Sequence, residues 1–420
     1  MHPNALLDLA TELLRQVLKL DQPADAVVSA FFRKHRGLGP RERHSLAETT
    51  YAVLRQRLLF AHLAQSGSGA LERRLAALAW QGSDNFLRGA LGTQEQKWLA
   101  EVQSIDRAGL PEKLRHNFPD WLASALKNEL GDGFWPLVEA IEKQAPLDLR
   151  VNTLKAKRDD VRAALGEAGI EAETTPYSPW GLRIDGKPAL QKLDLFIRGD
   201  VEVQDEGSQL LAALVAPKRG EMVVDFCAGA GGKTLALGAL MRNTGRLYAF
   251  DVSAHRLDSL KPRLARSGLS NVYPALIAHE RDDRIKRLAG KIDRVLVDAP
   301  CSGLGTLRRN PDLKWRQSPK AIEELNAKQR DILASAARLL KPGGRLVYAT
   351  CSLLRSENEA IAEAFGEAHP EFEPLAAGPA LAASQAERVD ELVTEAGHLK
   401  LRPHQHATDG FFAAAWQRRA

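Results

Sequence analysis

The chain has 420 residues, of which 44% are hydrophobic and 26% are charged, so it is long enough for two or three domains of ordinary globular composition. No apolar run approaches the roughly 20 residues that a membrane span requires, and the first ten residues lack the pattern of a secretion signal, which predicts a cytoplasmic protein with no membrane partner. The three cysteines all lie in the second half, too few for a disulfide framework, and their placement predicts no metal site.

The first 130 residues carry apolar side chains at helical spacing and predict a domain made of helices. Clusters of glycine, proline and serine break the pattern and separate four predicted helices, which span Leu6–Leu20, Ala24–His35, Pro40–Ala64 and Leu71–Trp80. We therefore expect an all-helical domain over residues 1–130.

Positive charge is concentrated in this helical region, although the net charge of the whole chain is only +5. Between Phe31 and Leu75 three acidic residues accompany nine basic ones, which are Arg33, Lys34, Arg36, Arg41, Arg43, Arg55, Arg57, Arg73 and Arg74. A stripe of this kind is typical of a surface that binds a nucleic-acid phosphate backbone. A solvated, arginine-rich helix face is the alternative interpretation.

Residues 145–202 predict a small α+β module that we describe as RRM-like. Its predicted elements are a strand, a helix and two further strands, at Leu147–Val151, Asp159–Gly169, Ile170–Thr175 and Gly181–Asp185. The charges and short strands suit a platform against RNA, and a structural spacer is the alternative.

Residues 203–420 alternate strand and helix patterns and predict a doubly wound α/β domain. The central strands should end near Phe226, Asp251, Ile277, Asp298 and Thr350. A long helix, Pro319–Leu340, should precede the last of these strands, and Phe411–Trp416 is predicted to be a late strand.

The stretch Val223 to Thr234 reads V-V-D-F-C-A-G-A-G-G-K-T and predicts a strand, a glycine loop and a helix start. This order places backbone N–H groups at the carboxyl edge of a parallel sheet, where open α/β folds bind ligands. A P-loop ATPase would need a glycine at the position of Cys227. An S-adenosylmethionine-binding loop instead needs an acid at the end of the first strand, which Asp225 supplies, and Asp251 after the next strand suits a ribose diol.

Two further strand ends present cysteines. Asp298 is followed by Ala-Pro-Cys301, and Thr350 is followed directly by Cys351. In a parallel sheet both thiols would lie at the same edge as the glycine loop. A single cysteine is usually a buried small hydrophobe, but two thiols and a carboxylate beside a cofactor loop favour a catalytic site.

These motifs resemble the RNA cytosine-5 methyltransferases of the Fmu/Sun family, of the bacterial 16S rRNA type. The matching stretches are V-Q-D-E-G-S-Q at Val203–Gln209, the glycine loop, D-A-P-C-S-G at Asp298–Gly303, R-R-N-P-D-L-K-W at Arg308–Trp315, A-T-C-S at Ala349–Ser352 and T-D-G-F-F at Thr408–Phe412. The likeness extends from Leu147 to Trp416. The first 130 residues are more weakly similar to the NusB-like helical domain of such enzymes.

The resemblance implies a Rossmann-like methyltransferase domain, preceded by the small α+β module and a NusB-like helical domain. It implies methyl transfer from S-adenosylmethionine to C5 of a cytosine in RNA. By resemblance Cys351 is the nucleophile that adds to C6, Cys301 assists elimination, and Asp298 faces the N3/N4 edge of the base. The base must leave its stack to reach both thiols.

Cofactor contacts are carried by resemblance onto the glycine loop and three further positions. They are Cys227, Ala228, Gly229, Ala230, Gly231, Gly232, Lys233, Asp251, Arg256 and Asp298. The family usually places an acid after the third strand, against the adenine amine, but the corresponding position here is His279. Glu280, Asp282 and the backbone alone remain alternatives for this contact.

The segment after the first cysteine carries four basic residues that we interpret as phosphate contacts, namely Arg308, Arg309, Lys314 and Arg316. The expected partner is RNA, with 16S rRNA as the substrate and tRNA as an alternative; neither DNA nor a membrane is expected, and the chain is expected to be a monomer. A P-loop ATPase and a non-catalytic RNA-binding assembly factor are the rival functions, and neither needs Cys301 and Cys351.

Overall fold

The computed structural model describes residues 2–186 and 188–420. The chain divides into two compact units, and the division does not follow chain order. A helical unit contains the chain up to Gln144 together with the later segment Thr306–Pro319, and an α/β unit contains Ala145–Gly305 and Lys320–Ala420.

The helical unit contains ten helices in its first 144 residues, within the part that the structure describes. They are α1 (Pro3–Val17), α2 (Ala24–Lys34), α3 (Pro40–Arg55), α4 (Arg57–Leu63), α5 (Leu71–Leu78), α6 (Asp84–Ala90), α7 (Thr93–Gln103), α8 (Glu112–His116), α9 (Asp120–Leu130) and α10 (Phe134–Glu142). Helix α1 shows why the pattern folds in this way: residues at helical spacing, including Leu7, Leu14 and Val17, are buried in the core of the unit.

One helix prediction in this unit is wrong. The predicted helix Pro40–Ala64 is broken at Gln56, whose φ of −116° and ψ of 36° lie outside the helical region. The side-chain oxygen of Asn117 accepts a hydrogen bond from the N–H of Leu59 at 3.1 Å, so a partner distant in sequence satisfies an amide that the break exposes. The local sequence pattern does not predict this hydrogen bond, so it does not predict the break in the helix.

The α/β unit opens with a four-stranded antiparallel sheet of order β2-β3-β1-β4. Its elements are β1 (Leu147–Val151), α11 (Arg158–Glu167), β2 (Ala172–Thr174), β3 (Gly181–Ile184), α12 (Asp194–Ile197) and β4 (Val201–Val203). Val161 and Leu165 of α11 share a core with Leu149 and Leu182 of the sheet. Strand β4 was not predicted, because three residues are too few to show a periodic pattern.

The second sheet has eight strands and carries the rest of the α/β unit. Its elements are α13 (Glu206–Val215), β5 (Met222–Asp225), α14 (Gly232–Leu240), β6 (Arg246–Asp251), α15 (Ala254–Ser267), β7 (Val272–Leu276), α16 (Asp283–Lys286), β8 (Ile292–Asp298), α18 (Pro319–Ala337), β9 (Leu340–Thr350), α19 (Glu359–Ala368), β10 (Phe372–Leu375), α20 (Ala377–Ala383), β11 (Leu399–Leu401), α21 (Pro403–His406) and β12 (Phe411–Arg418). The one intervening helix, α17 (Leu313–Arg316), belongs to the helical unit.

Strand order in this sheet is β10-β12-β9-β8-β5-β6-β7, with β11 paired to β12. The strands from β9 to β7 are parallel, and β12 joins β9 antiparallel. Along β8, Leu296 packs into one core and its neighbours Val295 and Val297 pack into another, so helices cover both faces of the sheet. The predicted doubly wound α/β fold is confirmed.

The long helix before β9 is shorter than predicted. It ends at Ala337 rather than Leu340, because Leu340 pairs with Ile292 and is already the first residue of β9. Within residues 2–186 and 188–420, no helix combines the length and the apolar character that crossing a membrane would demand.

Candidate active site

The candidate site lies at the carboxyl edge of the large sheet. Strand β5 has β6 on one side and β8 on the other, so the chain reverses its direction of travel across the sheet at β5. A reversal of this kind leaves a crevice outside the strand ends, where doubly wound folds bind ligands. The loops after β5, β6, β8 and β9 all open at this edge.

The glycine loop follows β5 as predicted. Gly229 and Gly231 have φ of 55° and 83°, in the left-handed region that favours glycine, and Gly231 directly precedes α14. A Cβ on Gly229 would meet no atom within 4 Å, so the loop presents bare backbone to open space. Ala228 N–H donates to the carbonyl of Phe250 at 2.8 Å and ties the loop to β6.

Asp225 ends β5 beneath this loop and is 1% exposed. Its Oδ2 accepts the hydroxyl of Thr234 at 2.6 Å, while its Oδ1 is buried with no hydrogen-bond partner in the part of the chain that is described. Burial raises the pKa of Asp225 to about 7. The site therefore contains an acceptor oxygen ready for a donor that the chain does not itself supply.

Asp251 ends β6 and fixes two turns at once. Its Oδ2 accepts the N–H of Gly229 and its Oδ1 accepts the N–H of Ser253, both at 2.8 Å. Each carboxylate oxygen can accept a further bond, so the side chain can hold the glycine loop and a bound diol together. Arg256 is exposed in the first turn of α15.

The loop after β7 carries both acidic candidates for the adenine contact. Asp282 precedes α16 and accepts backbone N–H groups from Ala278 and Arg284, each at 2.9 Å, and these bonds lower the pKa of its carboxyl. Glu280 lies 3.4 Å from the guanidinium of Arg281. Both carboxylates follow β7, and the choice between them stays open.

The two cysteines predicted to share this edge lie side by side. Sγ of Cys301 and Sγ of Cys351 are 3.4 Å apart, although 50 residues separate them. The hydrogen bond to Cys351 and burial raise the pKa of Cys301 well above its ordinary value. Cys301 therefore keeps its proton, and the two sulfur atoms are close enough to share a hydrogen bond.

Burial, reinforced by neighbouring carboxylates, also raises the pKa of the third thiol, Cys227, well above its ordinary value. Cys227 therefore stays a neutral lining group of the glycine loop. The three thiols are all free cysteines, and those at the β8 and β9 ends are in contact with each other.

Asp298 and Lys233 form an ion pair next to these thiols. Lys233 Nζ is 2.7 Å from Asp298 Oδ2, with 12% and 27% of the side chains exposed. Burial alone would lower the pKa of Lys233, but the charge and hydrogen bond of Asp298 outweigh it and raise the pKa, with a smaller contribution from Cys351. The lysine is therefore positive and within electrostatic reach of Cys351.

Sequence reasoning missed one group at this site, the carboxylate of Glu357. It is fully buried and bonds to Ser302 and Ser352, the residues that follow the two cysteines. The sequence signal for this group was the pair Glu357-Asn358 shortly after Cys351, because an acidic residue so close to the strand end that carries a cysteine needs a hydrogen-bond partner there.

Comparisons with known proteins agree with this geometry. A family model described as 16S rRNA methyltransferase RsmB/F matches residues 212–417, and a model for the ferredoxin-like domain of RsmF/B-like methyltransferases matches residues 118–191. The "Probable ribosomal RNA small subunit methyltransferase B" of Synechocystis sp. is 32% identical and aligns over 97% of this chain and 98% of its own length. The chain belongs to the RsmB/F methyltransferase family.

Two further relatives support the assignment. Ribosomal RNA small subunit methyltransferase B of Shewanella oneidensis is 34% identical over 72% of this chain and 67% of its own length. The solved structure of PH0851 is 29% identical, with a TM-score of 0.82 and coverage of 100% of this chain and 99% of that one. The resemblance to the Fmu/Sun enzymes is thus confirmed.

Membership in the RsmB/F family makes the chain an RNA methyltransferase with S-adenosylmethionine as its methyl donor. The residues present fit this donor. The bare backbone at Gly229 leaves room for the cofactor, Asp251 can accept hydroxyls, and the unpartnered Oδ1 of Asp225 can accept an ammonium. The rival P-loop ATPase is therefore wrong.

The interpretation of Lys314 as a phosphate contact is also wrong. Lys314 is 2% exposed within the helical unit, where its Nζ donates to the carbonyl of Arg55 at 2.7 Å. Burial lowers the pKa of Lys314 to about 7. Arg308 is 6% exposed, and the indole N–H of Trp315 donates to the carbonyl of Leu54 at 2.7 Å. Arg308 and Lys314 are therefore buried within the helical unit instead of facing a phosphate backbone, whereas Arg309 and Arg316 are half-buried and their phosphate contacts stay a prediction.

The nine basic residues of this stripe divide into two groups. Five have their guanidinium groups engaged within the helical unit: Arg73 pairs with Glu95 at 2.8 Å, Arg43, Arg55 and Arg74 donate to backbone carbonyls, and Arg57 lies over the ring of Trp315. Four members are exposed around the junction of α2 and α3 and remain available to a ligand: Arg33, Lys34, Arg36 and Arg41.

Proposed function

We propose that this RNA methyltransferase modifies C5 of a cytosine in 16S rRNA, in the cytoplasm, through a covalent bond between Sγ of Cys351 and C6 of the base. The observation that carries the proposal is the 3.4 Å contact between Cys301 and Cys351 at the edge of the sheet that also holds the glycine loop. Methylation at an amine or a hydroxyl would need neither thiol.

The chemistry explains the need for a nucleophile. C5 of cytosine is too electron-poor to take a methyl group directly, so a thiolate must first add to C6 and push electron density to C5. Cys351 suits this role, because Lys233 supplies positive charge and the Cys301 thiol lies 3.4 Å from the same sulfur. S-adenosylmethionine supplies the electrophilic methyl group to the activated C5.

Release of the product requires loss of the C5 proton and cleavage of the bond between C6 and Cys351. The hydrogen bond to Cys351 and the charge of the Cys351 sulfur both raise the pKa of Cys301. Both effects disappear once the Cys351 sulfur is bonded to carbon. Cys301 can then lose its proton to solvent and take the proton from C5 as the Cys351 thiolate departs. Asp298, on the same loop as Cys301, is proposed to bind the N3/N4 edge.

The proposed cofactor contacts follow the strand ends. The loop from Cys227 to Lys233 would hold the methionine part, Asp251 the ribose hydroxyls, and Arg256 and Asp298 the rim of the cleft. Glu280 or Asp282 would meet the adenine amine. The exposed position of Arg256 and the backbone bonds of Asp251 support this order along the edge.

Replacing Asp251 with alanine should weaken S-adenosylmethionine binding by about 1–3 kcal/mol, the range for lost hydrogen bonds to a charged group. Calorimetric titration of the folded variant measures the effect. Asp258→Ala is the matched control, because Asp258 is an exposed aspartate on α15 whose carboxylate pairs with the exposed Lys261. Equal affinities for the two variants would reject the ribose assignment.

The exposed basic group should grip RNA phosphates without reading sequence. Changing Arg33, Lys34 and Arg36 to glutamine should weaken RNA binding and lower the slope of log affinity against log salt by up to about 3. The control removes the same charge from three exposed residues elsewhere in the helical unit, Arg88, Lys97 and Lys113. An unchanged slope, or an equal loss in the control, would assign this surface to another partner.

The target base is best tested in cells. Bisulfite sequencing of total RNA should show one cytosine protected in 16S rRNA of the parent strain and unprotected in a strain lacking the gene. Protection lost from a tRNA instead would make tRNA the substrate. No difference between the strains at any cytosine would reject C5 methylation of RNA.

A further inference from the structure

Glu357 bridges the two loops that carry the cysteines. Its side chain is fully buried, and its Oε1 accepts the backbone N–H of Ser302 at 2.8 Å. Its Oε2 accepts the hydroxyls of both Ser302 and Ser352. Because Ser302 follows Cys301 and Ser352 follows Cys351, one carboxylate holds the residue next to each thiol.

A second set of bonds fixes Glu357 itself, through its backbone and its carboxylate. The Tyr348 hydroxyl donates to the backbone carbonyl of Glu357 at 2.6 Å. From α18, the Gln329 amide donates to Glu357 Oε1 at 3.1 Å and to the carbonyl of Pro300, the residue before Cys301, at 3.0 Å. All the hydrogen-bond donors to the carboxylate described above thus come from the two cysteine loops or from the helix that braces the first of them.

The burial of this carboxylate opposes folding. Removing an ionised carboxylate from water costs several kcal/mol, which hydrogen bonds offset only in part, and apolar packing could join the two loops without that cost. The carboxylate offers what apolar packing lacks: directional bonds that fix each loop within a few tenths of an ångström. Its charge also contributes to the raised pKa of Cys301, after the larger effects of Cys351 and burial.

We propose that Glu357 is a positioning residue, which acts through Ser302 and Ser352 to hold the sulfur atoms of Cys301 and Cys351 at the separation that covalent catalysis needs. This inference rests on the proposed C5 chemistry. Glu357 does not touch the base; its effect on the reaction passes entirely through the two loops.

The test measures adduct formation directly. RNA containing 5-fluorocytosine at the target position carries no proton at C5, so after methyl transfer the adduct cannot eliminate and stays bound to the protein. Glu357→Gln keeps the shape but replaces an acceptor oxygen with an NH₂ group facing hydrogen-bond donors. The rate of adduct formation should fall at least about 100-fold, the loss typical of a misplacement near 1 Å, while affinity for S-adenosylmethionine changes less than about twofold.

Two sets of variants separate positioning from stability. Glu221→Gln removes a half-buried carboxylate that pairs with Arg294 at 2.6 Å, next to the opposite end of β5, and it should lower thermal stability without slowing adduct formation. Glu357→Asp keeps the charge but shortens the reach, so it should recover only part of the rate. The double variant Ser302→Ala, Ser352→Ala should slow adduct formation while leaving the charge in place.

The outcomes are distinct. A slow Glu357→Gln variant with normal cofactor affinity and a fast Glu221→Gln control support the proposal. Adduct formation at the wild-type rate in Glu357→Gln, or an equal loss in both glutamine variants, overturns it. If Glu357→Gln does not fold, the double serine variant decides: a wild-type rate there overturns the proposal. A wild-type enzyme that forms no adduct would instead reject the C5 chemistry on which the inference depends.

Discussion

Cys301→Ala, incubated with substrate RNA and S-adenosylmethionine, should accumulate protein covalently bound to RNA, whereas Cys351→Ala should form no adduct. In the first variant Cys351 still adds to C6 and methyl transfer proceeds, but the group that takes the C5 proton is missing, so elimination stalls. In the second variant the nucleophile itself is missing. Methylation should therefore be abolished while binding of S-adenosylmethionine is retained.

A denaturing gel separates the adduct from free protein, and a methyl-labelled cofactor shows whether transfer occurred. The opposite pattern, with an adduct only in Cys351→Ala, would make Cys301 the nucleophile, as in DNA cytosine methyltransferases. Retained methylation in both variants would reject a cysteine-dependent reaction altogether. The contact between the two sulfur atoms at 3.4 Å makes the comparison well matched, because both changes remove an atom from the same pair.

Gly305→Ala should lower methylation by at least about 100-fold, because a shift near 1 Å at a catalytic loop costs about that factor. A Cβ on Gly305 would lie 2.1 Å from the carbonyl oxygen of Gly410 and 2.8 Å from that of Cys351. Both neighbours are backbone atoms, and Gly305 N–H also donates to the Cys351 carbonyl at 2.8 Å. The clash must therefore move the Cys351 loop, with a loss of about 1–3 kcal/mol in unfolding free energy.

The matched control is Gly166→Ala on α11, where a Cβ would meet no atom within 4 Å. This change should leave methylation unaltered and stabilise the helix by up to about 1 kcal/mol. Methylation assays and thermal unfolding of both variants measure the two effects. A fully active Gly305→Ala variant would mean that the Cys351 loop tolerates displacement.

The parallel part of the large sheet could be predicted well from sequence. The five central strands end within one residue of the predicted positions, because runs of buried apolar residues stop abruptly at polar strand ends such as Asp251 and Asp298. The contact between Cys301 and Cys351 followed from the same rule, since parallel strand ends meet at one edge. In this sequence, the positions where parallel strands end are thus the features that best predict where the site residues lie.

Long-range contacts account for what the sequence did not reveal. Lys314 lies in a basic run that is typical of a nucleic-acid contact, yet its partner is the carbonyl of Arg55, more than 250 residues earlier. The burial of Glu357 likewise depends on Ser302 and Gln329 from other elements. The local sequence pattern records the type of side chain but not which distant group will bond to it, so the partners of these two residues could not be predicted.

The central claim is that the methyl group replaces the hydrogen at C5 of cytosine. The most direct measurement uses substrate RNA labelled with tritium at C5 of its cytosines and follows the tritium released into water during methylation. The account predicts that the wild-type enzyme releases one tritium for each methyl group transferred, whereas Cys301→Ala should transfer the methyl group without releasing tritium. Methyl transfer by the wild-type enzyme without tritium release would contradict the account, because the methyl group would then lie on another atom of the RNA.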